Sequence, residues 1–321
     1  MKPEDIRPHV VVSRCIEFDH CRWNGMIISS DVIKLLRPHV EFVDVCPEVA
    51  IGLGVPRDPI RVIDDDGTEK LYQPATDRDV TDLMVDFTDE WLGALDAVDG
   101  FILKGRSPSC GITQVRVYKG RTDHTMHGKG TGFFAKAVKN RFGAVPIEDE
   151  GRLTNFRLRH HFLTHLWAGA RFREFLKEPS MGGLVAFHSE QKYLLMAYNQ
   201  EEMRAMGRLV ANHAQLPLEA ILDEYAVRLH HALSRPASYG SAINVLMHAL
   251  GYFDVSSSER AYFLQVLDEY RGGQVPLSVP VAIIQVWIAR FEEAYLRQQT
   301  FFAPYPAALM QISDSGKGRS F

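Results

Sequence analysis

Cysteine is scarce in this chain, four residues in 321, and three of the four stand where an apolar run gives out. Lys104-Gly105-Arg106-Ser107-Pro108-Ser109-Cys110-Gly111 follows the run Val98 to Leu103, which only Asp99 and Gly100 interrupt. That pattern is a short buried strand entering a tight Pro/Gly loop, and the loop gathers a thiol, two hydroxyls and two cations. His9 to Cys15 is a second run of the same design. Val40 to Glu48 is a third, in which Pro47 forces the chain out of the strand just after Cys46. In an open α/β sheet, ligands bind beyond the carboxyl ends of the strands. Cys15, Cys46 and Cys110 therefore converge on one sheet edge if their strands are neighbours.

The spacings between these cysteines, 31 and 64 residues, fit no zinc ribbon, zinc finger or ferredoxin run. Three thiolates without an obvious fourth ligand make a site with an open coordination position. With zinc that is a catalytic arrangement; with a 4Fe-4S cluster it leaves one iron unligated, a Lewis acid with affinity for sulfur. The plainer alternative is three buried cysteines acting as small hydrophobes. Cys21 sits in a polar loop beside His20 and Arg22 with no strand leading into it, and reads as a bystander. A nucleophilic Cys110 would need a histidine base, and none stands out on the same edge.

The elements that must carry these residues alternate. Strands are predicted over residues 8–15, 40–45, 61–63, 98–103, 115–118 and 145–147, with a turn at Asp64-Asp65-Asp66-Gly67. Helices are predicted from the Ser30-Asp31 cap to Leu36, over 80–95, and from Gly128-Lys129-Gly130-Thr131-Gly132 to Asn140. The glycine-rich entry to the last helix could cradle a phosphate, although it is no Walker A motif. Alternating strands and helices predict an α/β doubly wound N-terminal domain with a mostly parallel sheet over residues 1–150. Strand signal then fades. Amphipathic segments at 154–176, 187–212, 217–233, 238–250, 257–271 and 280–302 predict an all-α helical C-terminal domain over 151–321. Phe301 to Gln311 is expected to wrap the surface, and the last residues to be disordered.

A hydrophobic share of 46% with 24% charged residues is ordinary for a soluble globular protein. MKPEDIRPHV lacks the apolar core of a signal peptide, and no apolar run approaches the ~18 residues of a membrane span. A cytoplasmic setting is expected, and with it no disulfide framework. The net charge of −4 conceals a strong polarity. Residues 41–100 carry 16 Asp/Glu against 4 Lys/Arg, whereas 104–173 carry 14 Lys/Arg against 4 Asp/Glu. Such a local excess is a footprint for a polyanion, or else a face paired by the acidic stretch. Within it lies the cluster Arg152, Arg157, Arg159, His160, His161, His165, Arg171 and Arg173, in which Arg152, Arg159 and His160, or Arg157 and His161, share a helical face at four- or seven-residue spacing, which would suit tracking an RNA backbone.

Ser13-Arg14-Cys15 with Cys21-Arg22-Trp23-Asn24-Gly25, Cys46-Pro47-Glu48 with Gly52-Leu53-Gly54-Val55-Pro56-Arg57, and Ser107-Pro108-Ser109-Cys110-Gly111 resemble the thiouracil desulfurase (TudS) family over residues 8–147. Trp23 stands where many relatives have tyrosine. Phe187 to Ala197, His248 to Phe253 and Pro304-Tyr305-Pro306 resemble the YbgA-type helical domain. The fused pair is similar to the RudS group, placed on 4-thiouridine in tRNA. The resemblance implies a 4Fe-4S cluster held by Cys15, Cys46 and Cys110, with one open iron for the sulfur of a thiolated pyrimidine. It implies a non-redox, hydrolytic desulfidase that needs no redox partner, and tRNA as partner and substrate. Glu48, two residues past Cys46, would activate water, since a partly desolvated carboxylate suits general acid–base work. Ser107 and Ser109 would orient base or water, or merely shape their loop. Lys104 and Arg106 would hold a phosphate or steady developing charge, with Arg152, Arg157 and Arg159 on the RNA. Two alternatives remain: a salvage desulfidase for free 4-thio-UMP or thiouracil, and a non-enzymatic nucleic-acid-binding protein with a structural metal site.

Overall fold

The three cysteine-bearing runs fold as adjacent parallel strands. In chain order the strands are β1 (His9–Ser13), β2 (Glu41–Val45), β3 (Arg61–Asp65), β4 (Thr68–Gln73), β5 (Arg78–Asp79), β6 (Gly100–Leu103), β7 (Val115–Lys119), β8 (Met126–Gly130) and β9 (Ile147–Asp149). One sheet has the order β2-β1-β6-β9, every pair parallel, so the carboxyl ends of β1, β2 and β6 share an edge. The computed structural model describes residues 2–121 and 125–310. They divide into two compact units, one of residues 7–162 and one of 2–6 with 163–310.

The helices of the first unit are α1 (Asp31–Leu36), α2 (Pro47–Ala50), α3 (Thr81–Gly93) and α4 (Phe133–Phe142), followed by α5 (Phe156–Phe175), which runs on into the second. β-Branched and aromatic residues bury both faces of the central strands β1 and β6, as a sheet covered on two sides requires, whereas the edge strand β2 is partly exposed. Val11, Val45, Phe101 and Leu103 share one core with Met84 of α3 and Phe134 and Val138 of α4. Val10, Val12 and Ile102 are fully buried on the opposite face.

A second sheet, order β5-β4-β3-β7-β8, differs from the sequence expectation. It is mixed: β3 and β7 pair in parallel, while β3–β4, β4–β5 and β7–β8 are antiparallel. Its inward residues Val62, Leu71, Val115 and Val117 join the same core. Asp64 and Asp65 end β3, so the turn falls later than expected, at Asp66-Gly67, where both residues have positive φ. Gly128 and Gly130 belong to β8, paired with Val117 and Val115. The stretch read as a glycine-rich helix entry is therefore mostly strand.

The second unit is helical, as expected: α6 (Met181–Tyr198), α7 (Gln200–Ala211), α8 (Leu218–Ala232), α9 (Tyr239–Leu250), α10 (Ser257–Arg271), α11 (Ser278–Arg290) and α12 (Ala294–Arg297). The segment predicted as one helix over 187–212 breaks at Asn199, whose extended backbone and side chain cap α7 through the Glu202 N–H. Phe301, Phe302, Tyr305 and Leu309 are buried rather than wrapped over the surface. Their side chains supply core that the short last helices lack. The predicted disorder of the last residues lies outside the described residues. No described helix is long and apolar enough to cross a membrane.

Candidate active site

Cys15, Cys46 and Cys110 line a single cavity of about 400 Å³ at the shared strand edge, and Cys21 lines it with them. Pro47 turns the chain from β2 into α2 with Cys46 as the N-cap, and the Val49 N–H points back at the Cys46 sulfur. Cys21, read above as a bystander, is buried, and its thiol is near enough to those of Cys15 and Cys46 to interact with them, while its carbonyl accepts from Cys46 Sγ at 3.8 Å. The Cys15 contact pushes the Cys21 thiol up to about 11. The Cys21 contact and burial push Cys46 up further. Burial raises Cys110 to about 12, against hydrogen bonds from Ser13 and Ser109. Thiols of this kind are protonated at neutral pH and must release their protons when they take a metal.

The Cys110 loop is held from behind. Phe133 and Ala135, in the first turn of α4, donate their N–H groups to the carbonyls of Pro108 and Ser109 (both 3.1 Å), and Gly132 donates to Gly111 (2.8 Å). These are the N–H groups that a helix leaves without internal partners, and here backbone uses them. The phosphate cradle suggested by the glycines is thereby filled by the loop itself. A Cβ on Gly132 would lie 2.4 Å from the Ser109 carbonyl oxygen and 2.8 Å from that of Pro108. Gly132→Ala must therefore displace the loop. The expected cost is about 1–3 kcal/mol, typical of overpacking, measurable by urea unfolding and accompanied by lower iron retention.

Glu48, two residues past Cys46, faces this loop. Its Oε1 accepts from Ser109 Oγ at 2.7 Å and lies 3.4 Å from Ser107 Oγ. Its Oε2 accepts from Arg57 Nη2 at 2.7 Å and Nε at 2.9 Å. Arg57 also donates to the carbonyls of Cys21 (3.0 Å) and Gly54 (2.9 Å). The guanidinium thus fixes both the carboxylate and the Cys21 loop, a role the sequence reading did not assign. The available signal was a lone arginine closing the Gly/Pro loop nine residues after Glu48. The two serines divide the roles left open for them. Ser107 Oγ accepts from the N–H groups of Ser109 and Cys110 (both 3.2 Å) and shapes the loop. Ser109 binds the carboxylate.

Of the expected cations, Arg106 is exposed at the cavity wall with φ +61°. Lys104 lines the cavity, but its ammonium pairs with Glu150 and donates to the Gly105 carbonyl, so its charge is neutralised locally. Arg152 and Arg159 do not present an RNA-tracking face. Arg152 is paired with Glu148 at 2.7 and 3.0 Å. Arg159 is buried and donates to the carbonyls of Leu153 and Thr154. Arg157 is exposed. Further along α5 every residue from Phe162 to Phe172 is buried, His165 and Arg171 included. Arg171 donates to the carbonyls of Ala303 and Pro304. The four-residue spacing thus serves packing and backbone satisfaction, because α5 has no solvated side over this length.

Burial lowers His160, His161 and His188 from 6.5 to about 4. These imidazoles are neutral at physiological pH and add nothing to a basic face. Their folded values lie below the unfolded one, so the unfolded chain binds protons first as pH falls. Their contribution to stability is complete above about pH 6.5 and declines as pH drops toward 4. Thermal midpoints measured between about pH 7.5 and 4.5 are expected to fall only below about 6.5.

The donor set suits a sulfur-ligated cluster. Among the described residues, no three Cys, His, Asp or Glu come close enough to hold one metal ion. The thiols are instead spread around the wall of a cavity large enough for a polynuclear centre. The Val49 N–H at the Cys46 sulfur is a contact that tunes such centres. The Arg14 guanidinium, paired with Asp44, is near enough to Cys21 and Cys46 to favour their thiolates once metal displaces the protons.

Comparison with known proteins assigns the two units separately. Residues 10–150 match the family model described as 2-thiouracil desulfurase. Residues 192–306 match one described as a protein of unknown function, DUF1722. The chain is 34% identical over 139 residues to the uncharacterized protein YbgA of Escherichia coli (strain K12), covering 42% of this chain and 82% of that protein. It is 31% identical over 151 residues to the uncharacterized protein YbbK of Bacillus subtilis (strain 168), covering 44% and 96%. A solved structure titled [4Fe-4S]-dependent thiouracil desulfidase TudS is 27% identical with a TM-score of 0.34, covering 46% of this chain and 93% of that one.

Proposed function

The chain belongs to the 2-thiouracil desulfurase family through residues 10–150 and to the DUF1722 family through 192–306, and from that premise we propose an iron–sulfur-dependent, non-redox desulfidase that converts 4-thiouridine in tRNA to uridine. The observation that carries the reading is one cavity lined by Cys15, Cys46 and Cys110 together with the Glu48–Ser109 pair, whose serine also donates to the Cys110 sulfur at 3.6 Å. Bound there by the three cysteines, a 4Fe-4S cluster would supply a Lewis-acidic iron with affinity for a thiocarbonyl sulfur.

The residues do the rest. Water replaces sulfur at the pyrimidine carbon, so a thiocarbonyl and one water become a carbonyl and one hydrogen sulfide, with no electron supplied or removed. Glu48 takes the water's two protons in turn at Oε1, the oxygen that Ser109 marks, and returns each to the departing sulfur. Arg57 holds Oε2 and so fixes which oxygen works. Trp23 lines the cavity and is 45% exposed, a platform on which an extruded base can stack. Arg106, exposed beside it on the wall, is placed for the attached phosphate.

The test is anaerobic reconstitution followed by incubation with thiolated tRNA, reading loss of thiocarbonyl absorbance and release of sulfide. A second reading is favoured by the pairing of Arg152 with Glu148 and the burial of Arg159, which take two expected RNA contacts away. In it the substrate is free 4-thio-UMP or thiouracil. Sulfide release from those compounds but not from tRNA would decide for it.

A further inference from the structure

The helical unit has a cavity of its own, about 590 Å³, to which the desulfidase reading gives no task. Two segments singled out in the sequence meet there: Phe187 to Ala197 contributes His188 and Lys192, and His248 to Phe253 contributes Tyr252. Arg204 of α7 and Tyr295 of α12 complete the wall. The rings of Tyr252 and Tyr295 stack at 5.8 Å and 16°. The buried Tyr193 packs against them, meeting Tyr295 edge-on at 6.1 Å with its hydroxyl near that of Tyr252. One face of Tyr252 is thus covered, yet the residue is 47% exposed, which leaves the other face open.

Lys192 and Arg204 are exposed at this cavity, and neither has an ion-pair partner among the described residues. Glu293 is the carboxylate that acts on Tyr193, and it is committed to capping α12 through the Tyr295 N–H. His188 is half-buried, neutral and hydrogen-bonded to Tyr225 at 3.1 Å, so it offers a polar ring nitrogen without charge. A Cβ at Gly207 would stand 3.4 Å from His188 Nε2, so glycine keeps this side open.

A rigid aromatic face with two cations beside it selects a ligand that is flat at one end and anionic at the other. We propose that this cavity binds a nucleobase carrying a phosphate, stacked on Tyr252 with the phosphate between Lys192 and Arg204. The source is an unpaired RNA strand or a free nucleotide. No covalent step is involved, and the chemistry at the cysteine cavity is not required.

The test uses the full-length, cluster-loaded protein. A 5′-labelled single-stranded oligouridylate is titrated by fluorescence anisotropy, UMP by calorimetry, and inorganic phosphate serves as the control. Tyr252→Ala and the double variant Lys192→Glu/Arg204→Glu are expected to weaken binding about tenfold or more. The double variant should also flatten the salt dependence of oligonucleotide binding. Both should keep the wild-type thermal midpoint and the wild-type rate of sulfide release from free 4-thio-UMP. Loss of oligonucleotide binding in the variants identifies a strand as the source; loss of UMP binding alone identifies a nucleotide. Variants that bind both probes as wild type does would overturn the proposal, as would inorganic phosphate binding as tightly as UMP. A wild-type protein that binds these probes but releases no sulfide would count against the desulfidase reading alone.

Discussion

Glu48→Gln is expected to lower kcat for sulfide release by about 10²–10⁴-fold, the usual weight of a general acid–base group, while iron content and KM stay near wild type. Glutamine keeps the shape and one oxygen to accept from the Arg57 fork, while its NH2 can donate to Ser109 Oγ, which accepts as well as donates, so the loop should hold. What it removes is an oxygen able to take a proton. Arg57→Leu provides the complementary measurement. It leaves the carboxylate in place but frees Oε2 and the Cys21 carbonyl, and should lower kcat less, by about ten- to a hundredfold, through misplacement. An undiminished rate in Glu48→Gln would transfer the proton step to another group.

Alanine at Cys46 or Cys110 is expected to abolish both activity and bound iron, read as iron and sulfide per chain after anaerobic isolation. Each change deletes a thiol from the cavity wall, and a ligand shell short of one of three protein sulfurs should not retain a cluster. Cys21→Ala is expected to keep its iron. Its carbonyl accepts from Cys46 Sγ and from Arg57, so the backbone part of its role survives the substitution. Iron lost from Cys21→Ala as fully as from Cys46→Ala would instead mean a closed four-thiol centre, with no open position for substrate sulfur.

The cysteine-bearing edge was legible because its signals are local. β-Branched runs ending on cysteine, with proline or glycine just after, locate strand ends without any knowledge of packing, and β1, β2 and β6 are indeed neighbours. β4 and β8 were not legible: Thr68–Gln73 is largely polar and Met126–Gly130 holds two glycines, so their ladders to β3 and β7, rather than propensity, make them strands. The basic helix misled for the opposite reason. Its spacing is a true helical pattern, but whether an arginine faces water or a carbonyl depends on distant chain, such as the Ala303 and Pro304 oxygens that receive Arg171. Cys21 was underrated because nothing near it in sequence shows that its loop folds back beside Cys46.

The grip of α4 on the Pro108-Ser109 carbonyls bears on the protein's life in air. Those bonds join main chain to main chain and owe nothing to what the cavity contains. An inorganic centre destroyed by oxygen would leave its mould standing, ready to be refilled by a carrier without the polypeptide having to unfold or be replaced.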